Sequence, residues 1–354
     1  MKNIRILLTG SGAPGWVPIY KCLIVANKQL EIYGCDINSQ TAGSFYAKKH
    51  FTVPPGTDSS YIYTILKLAI KEKIDVILPI TDAEILPLSQ NISTFKQYDI
   101  LIPVSSPESL EISLNKLELF NFLKKEKLHA CDFYVAHSWE EFKKHIKALG
   151  YPKKSVCFKP TKASGSRGFR IIDPKKNIFD VLMNEKPTST FTTYENIELI
   201  LKSVKHFPEL LVMEYLPGKE YTVDIFMEQG KALYIIPRLR VGMKGGITTE
   251  GIIEENKEII TLSKKITEKL KLDYCVGIQF RYDINNQPKV LEINPRLQGT
   301  TVISYGAGIN LPHYIIRSLY HEKIPKKKIK FGIHMFRHWN EVFFDGNKKF
   351  EIFK

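Results

Sequence analysis

What this sequence of 354 residues lacks is informative before what it holds. No stretch approaches the roughly eighteen consecutive apolar residues that a membrane-spanning helix needs, so no membrane partner is expected. The opening MKNIRILLTGSG has only a short apolar run, without a small-residue cleavage site, and enters a glycine turn directly. It reads as a first strand and not a signal peptide, and a cytoplasmic location is the expectation. Cysteine is scarce: Cys22, Cys35, Cys131, Cys157 and Cys275 are scattered, odd in number and form no CxxC. That argues against a disulfide framework or a zinc site, and four of the five stand among apolar residues, as buried thiols do. The nine histidines show no HExxH spacing, and no GxxxxGK(S/T) phosphate loop is present. No Ser-His or Cys-His signature of a nucleophilic enzyme is evident either.

What the sequence has in excess is positive charge, a formal +14. Such a balance suits a nucleic-acid or anionic-surface partner, or else solvated lysine faces and an anionic substrate. The lysines are dispersed without interleaved aromatics, apart from Lys326-Lys327-Lys328 beside Pro325. The solvated-face reading is therefore preferred, with no nucleic-acid partner. The 44% hydrophobic fraction and the length allow two or three units with cores of their own.

The first hundred residues alternate strands and helices. Ile4 to Thr9 runs into Gly10-Ser11-Gly12-Ala13-Pro14-Gly15, Ile32 to Cys35 ends at Asp36, and Val76 to Pro79 precedes Thr81, Asp82 and Glu84. This pattern predicts a parallel sheet covered on both faces, with ligands beyond the carboxyl ends of its strands. The G-x-G-x-x-G order with Asp36 also invites a dinucleotide reading, but Pro14 is unusual in that turn. A boundary is expected near residue 112, with Ser113 as the N-cap of the following helix. From Val156 onward longer alternating strands and hairpins predict an α+β region, and Gly332 to Phe344 alternates like an edge strand or hairpin.

Three stretches carry chemistry. In the first, Tyr274 to Tyr282 and Lys289 to Asn294 read as two strands of a hairpin. Residues two apart on one strand face are roughly 6.5 Å apart, so Gln279, Glu292 and Asn294 gather away from the core face. One carboxylate and two amides suit a hard cation such as Mg²⁺, and Arg296 follows directly. A polar sheet face open to water would present the same pattern. In the second, a strand delivers Lys159 into a small-residue loop holding Ser164, Gly165, Ser166 and Gly168, able to bring N–H groups to phosphate oxygens or simply to connect a hairpin. In the third, Leu210 to Glu214 leads through Tyr215-Leu216-Pro217-Gly218 to Glu220. That extended backbone suits the edge of an adenine, and Glu220 suits ribose hydroxyls; an ordinary hairpin is the alternative. Arg238 and Arg240, two apart on one strand beside Gly242, Gly245 and Gly246, suit a carboxylate or phosphate oxyanion, with both expected to reach the site.

In this order and at these separations the three stretches resemble the ATP-grasp superfamily, and Glu292-Ile293-Asn294-Pro295-Arg296 with Gly277-Ile278-Gln279-Phe280 is most similar to the large subunit of carbamoyl-phosphate synthetase. The resemblance covers essentially the whole chain. It implies a mixed α/β and α+β protein: a Rossmann-like pre-ATP-grasp domain over 1–112, an ATP-grasp domain over 113–320 with a mobile lid near 125–212, and a C-terminal strand or hairpin over 321–354 completing the sheet. Residue by residue, it implies that Lys116 and Lys159 contact the nucleotide phosphates and that Ser164, Gly165, Ser166 and Gly168 belong to the loop closing over them. Glu214 and Leu216 match the adenine hinge, and Glu220 the ribose contact. Gln279, Glu292 and Asn294 match the magnesium ligands, with Mn²⁺ as the alternative ion; many relatives carry aspartate in place of Gln279. Arg296 matches the arginine that steadies the transferring phosphoryl group.

The function so implied is an ATP- and Mg²⁺-dependent carboxylate–amine ligase, working through an acyl phosphate and releasing ADP and phosphate. Its partners would be a small-molecule carboxylate and an amine, and homodimers are common for the fold. A carbamoyl-phosphate-synthetase-like component, a carboxylase-type synthetase and a non-catalytic nucleotide-binding protein stand as alternatives. Asp82, Glu84, Thr300 and Thr301 are candidates for the second substrate by their position alone.

Overall fold

The computed structural model describes residues 3–161, 168–185, 190–346 and 348–352. Its contacts divide the chain into two compact units, each discontinuous in sequence. The first joins 1–114, 221–279 and 292–354, and the second joins 115–220 and 280–291.

The first unit begins with a four-stranded parallel sheet in the order His50–Thr52, Glu31–Asp36, Arg5–Leu8, Val76–Leu78. Side chains alternate across a strand, and Arg5–Leu8 uses both faces. Ile6 and Leu8 enter one core, with Trp16, Ile19 and Leu23 of the helix Trp16–Ala26 and with Phe226, Tyr234 and Ile236 of the strands Glu220–Glu228 and Lys231–Lys244. Leu7 enters the other core with Tyr61, Ile65, Ile85 and Phe95. Ile6, Leu7 and Leu8 are wholly buried, which explains why this strand reads as an unbroken apolar run. Each fully buried aliphatic side chain of this kind contributes roughly 1.5–3 kcal/mol relative to exposure.

The longer sheet has the order Pro288–Asn294, Tyr274–Tyr282, Glu220–Glu228, Lys231–Lys244, Ile247–Ile253, His334–Phe336. The tail supplies its last edge strand, His334–Phe336, through antiparallel pairing to Ile247–Ile253. The tail's remaining strands, Val342–Asp345 and Lys348–Glu351, form a separate two-stranded sheet.

The glycine turn has a packing role. Gly12 N–H donates to Asp36 Oδ2 at 2.8 Å, and Asp36 Oδ1 accepts from Asn38 N–H at 3.0 Å, so Asp36 is engaged with its own loops. A Cβ on Gly15 would lie 2.8 Å from Gly299 Cα, inside any tolerable contact. The third glycine thus brings the turn against the loop that follows Arg296.

The second unit is built on a five-stranded sheet, in the order Phe133–Ala136, Leu210–Glu214, Val156–Pro160, Arg170–Ile172, Phe191–Thr192. The helices Trp139–Ala148 and Tyr194–Lys202 cover it, burying Trp139, Phe142, Ile146, Ile197 and Leu201 against Val156, Phe158 and Val212. Its first helix, Lys116–Lys125, is capped by Asn115, whose Oδ1 accepts from Leu117 N–H at 3.0 Å. Ser113 instead closes the preceding helix Pro107–Leu114, where its hydroxyl donates to Ser109 O, so the N-cap expected there is corrected to Asn115. All five cysteines are free and buried; burial pushes the Cys22 and Cys157 thiols up to about 12. Among the described residues no helix is long and apolar enough to cross a membrane.

Gly15→Ala is expected to lower stability by about 1–3 kcal/mol, because backbone must yield to the new methyl group. A reduced urea midpoint with an unchanged slope is the outcome that checks it.

Candidate functional site

The expected oxygen donors stand on neighbouring strands of the longer sheet, and all three belong to the first unit. Asn294 is nearly buried, and its Nδ2 donates to Glu292 Oε1 at 3.0 Å. Arg240 donates to Gln279 Oε1 at 3.4 Å, and Arg296 donates to Asn294 Oδ1 at 3.4 Å. Gln279, Glu292 and Asn294 therefore present one carboxylate and two amide oxygens, a hard donor set of modest charge that fits Mg²⁺. Among the described residues no group of three His, Cys, Asp or Glu could hold a metal, so amide donors are essential to this fit.

Arg296 leaves the same strand and meets Asp82 side by side, Nε to Oδ1 at 2.6 Å and a terminal nitrogen to Oδ2 at 3.0 Å. Asp82 opens the helix Asp82–Gln90 just past the carboxyl end of Val76–Leu78, where the parallel-sheet pattern expects ligands. This paired fork fixes the plane of the guanidinium, which a single contact would not. Glu84, two residues on, is different. It is 3% exposed and accepts hydrogen bonds from Thr9 and Tyr61 hydroxyls and from the Ile80 and Thr81 backbone. It ties the sheet to its helix and offers nothing to a substrate.

Arg238 and Arg240 do share a strand face, and the Thr248 hydroxyl accepts from both, at 3.3 and 3.1 Å. Arg238, however, is 2% exposed and its Nε donates to Asp224 Oδ2 at 2.8 Å. The expectation that Arg238 reaches a ligand is thus corrected: a buried carboxylate holds it, and it shares the Thr248 hydroxyl with Arg240. Asp224 Oδ1 also accepts from Thr301 Oγ1 at 3.0 Å and Gln298 Nε2 at 3.3 Å. Thr301 therefore braces the network, although its position suggested substrate contact. A Cβ on Gly277 would fall 1.8 Å from Gln298 Nε2, so that glycine is the space in which Gln298 lies.

Asp224, Thr248 and Gln298 were not singled out by sequence reading. Asp224 carried a signal: an acid inside the apolar strand TVDIF needs a buried partner, and Arg238 is the cross-strand cation. Thr248 and Gln298 carried none.

The second unit holds the other candidates. Lys159, near the end of its strand, lies 5.7 Å from the Phe120 ring centre, and among the described residues no carboxylate pairs with it. Lys116 opens the helix that Asn115 caps. Ser164, Gly165 and Ser166 lie outside the described residues. Gly168 has φ +72°, and a Cβ there would meet Pro160 at 2.6 Å, so this position against the strand end takes glycine alone.

Burial raises the Glu214 carboxyl above its ordinary range, and its Oε1 accepts from Asp132 N–H at 2.9 Å. Leu216 is 3% exposed, and among the described residues the backbone of Tyr215 and Leu216 makes no hydrogen bond. The N–H and C=O groups of these two residues are therefore left over by the described fold. Past it, Gly218 N–H and Tyr282 O pair at 2.9 Å, and Arg281 sits over the Tyr215 ring and 3.8 Å from Glu220.

Residues 206–338 match the family model "ATP-grasp in the biosynthetic pathway with Ter operon", and residues 6–103 match "PylC-like, N-terminal domain". None of the curated proteins matches the chain. Among solved structures it is similar to an ADP complex of PurK, N5-carboxyaminoimidazole ribonucleotide synthetase, at 15% identity and a TM-score of 0.68, covering 93% of this chain and 80% of that one. The biotin carboxylase domain of 2-oxoglutarate carboxylase from Hydrogenobacter thermophilus, solved with ADP, its magnesium salt and bicarbonate, gives 16% and 0.67, with 94% and 74% covered. An L-amino acid ligase from Bacillus licheniformis gives 13% and 0.62, with 90% and 75% covered. At these identities the likeness is one of fold, and it extends over both units.

Replacing Asp224 with Ala leaves Arg238 buried and uncompensated, and about 3–5 kcal/mol of stability should be lost. Chemical denaturation checks this; a loss below about 1 kcal/mol would show that the pair is not the brace described.

Proposed function

We propose that this chain, an ATP-grasp superfamily enzyme with a pre-ATP-grasp domain ahead of the ATP-grasp fold, uses ATP to activate a carboxylate as an acyl phosphate. An amine then attacks, giving an amide with release of ADP and phosphate. The observation carrying this reading is the donor face of Gln279, Glu292 and Asn294, with Arg296, just past the strand of Glu292 and Asn294, held in a fixed plane by Asp82. Phosphoryl transfer requires positioning and charge neutralisation more than covalent help, and these residues supply both.

Gln279, Glu292 and Asn294 would hold Mg²⁺, which neutralises phosphate charge when bound. Lys159, which no carboxylate of the described residues engages, contacts the nucleotide phosphates, with Lys116 as the second lysine. The unpaired backbone at Tyr215 and Leu216 reads the adenine edge beside Glu214, and Glu220 receives the ribose. Ser164, Gly165, Ser166 and Gly168 belong to the loop over the phosphates. Arg240, braced by Thr248, and Arg296 meet the acid and the group transferred to it. The biotin carboxylase domain among the similar structures, solved with bicarbonate, favours a second reading, in which bicarbonate is the acid activated.

The test mixes the protein with ATP, Mg²⁺ and pools of carboxylates with amines, bicarbonate included, and measures ADP and phosphate. Turnover is expected with one pool. Glu292→Ala should reduce it by about 10²-fold or more, the size of effect seen when a group facing developing charge is removed. Removing Mg²⁺ with a chelator should stop turnover. ADP release that persists in Glu292→Ala, or that no pool elicits, contradicts the ligase reading.

A further inference from the structure

Arg337 lies at the end of the edge strand His334–Phe336, and its backbone N–H donates to Thr249 O at 2.8 Å. Its guanidinium turns into the first unit, where the glycine turn and the loop after Arg296 come together. One terminal nitrogen donates to Pro14 O at 3.3 Å, and the other to Gly299 O at 2.7 Å and Thr300 Oγ1 at 3.5 Å. All three acceptors are neutral. The Nε–H is buried and has no acceptor.

Two other arginines of the first unit differ from it in one respect. Arg238 has the Asp224 carboxylate and Arg296 has that of Asp82, whereas among the described residues no carboxylate pairs with Arg337. Burial and the nearby Arg238 charge both depress the Arg337 pKa, so a second cation already presses on it. A half-buried guanidinium held by neutral acceptors, under the influence of a second positive charge and carrying an idle N–H, is an arrangement that an oxyanion completes. The carbonyls of Pro14 and Gly299 fix its direction, and the tight Gly15–Gly299 approach fixes where those carbonyls stand.

We infer that Arg337 is the binding residue for an oxyanion, carboxylate or phosphate, that the acid substrate carries in addition to the carboxylate activated beside Arg296. The substrate class is then a dicarboxylate or a phosphorylated carboxylate, not a simple monoacid. The ligand's role as a substrate rests on the ligase reading; the oxyanion site itself does not.

The experiment is calorimetric titration of the full chain, without nucleotide, using succinate in one arm and inorganic phosphate in the other. Wild-type protein is expected to bind one of them, and which one distinguishes the carboxylate from the phosphate form of the substrate. Arg337→Gln should weaken that binding about tenfold or more, equivalent to ~1.4 kcal/mol, while its affinity for MgADP stays within about twofold of wild type. Arg337→Lys keeps the charge but loses the fork, and should weaken the probe by about threefold or more. If Arg337→Gln fails to fold by circular dichroism, the lysine variant decides. Unchanged probe affinity in a folded variant, or no binding of either probe to wild type, overturns the inference. So does a joint loss of probe and MgADP binding in folded Arg337→Gln, which would mark Arg337 as a structural staple. Failure of wild type to bind MgADP sinks the ligase reading and leaves an Arg337-dependent oxyanion site standing.

Discussion

The arrangement of the first unit turns on a carboxylate and a guanidinium that are both removed from water. Asp224 and Arg238 meet at 2.8 Å with almost no exposure of either side chain. Such a pair adds little net stability, but it tolerates no loss of a partner. Its worth here lies in what it orients. The second Asp224 oxygen takes Gln298 and Thr301, and Arg238 shares Thr248 with Arg240, which reaches Gln279. The loop after the donor strand, the arginine strand and one expected metal ligand are thus bound to one charge pair, each bond removing a rotational freedom that a working site cannot spare.

The parallel sheet contributes more than a scaffold. Its carboxyl end delivers Asp82 to Arg296, and its glycine turn delivers Gly15 to Gly299. Both contacts link the first hundred residues to the stretch after residue 292, and both lie within one compact unit. A dinucleotide turn and this turn can share a glycine order because both need a backbone without side chains. They differ in what approaches: a pyrophosphate in one case, a second stretch of protein here.

Much of this was legible beforehand. Strand–helix alternation, the wholly apolar Ile6-Leu7-Leu8 and the polar face of Gln279, Glu292 and Asn294 all follow from period-two and 3.6-residue patterns acting locally. The hidden part was non-local. The signal for Arg238 lay 14 residues away, in the acid of the apolar TVDIF strand, and without that pairing its side chain seemed available to a ligand. Glu84 misled for a similar reason: at a strand's carboxyl end an acid reads as functional until its five hydrogen-bond donors are known. Ser113 and Asn115 are both good caps, and only the end of the preceding helix decides between them. Arg337 gave no sequence signal, because an arginine after an edge strand is ordinary until its neighbours prove to be carbonyls.

The five buried thiols have a use unrelated to any reaction. Cys22, Cys35 and Cys275 belong to the first unit, and Cys131 and Cys157 to the second. A thiol that is both covered and poorly ionised reacts with alkylating reagents only when its surroundings open. The rate at which each cysteine is modified therefore reports the opening of its own unit, without any label having to be introduced. Peptide-resolved alkylation would separate the breathing of one unit from that of the other, and would show which of them opens more often.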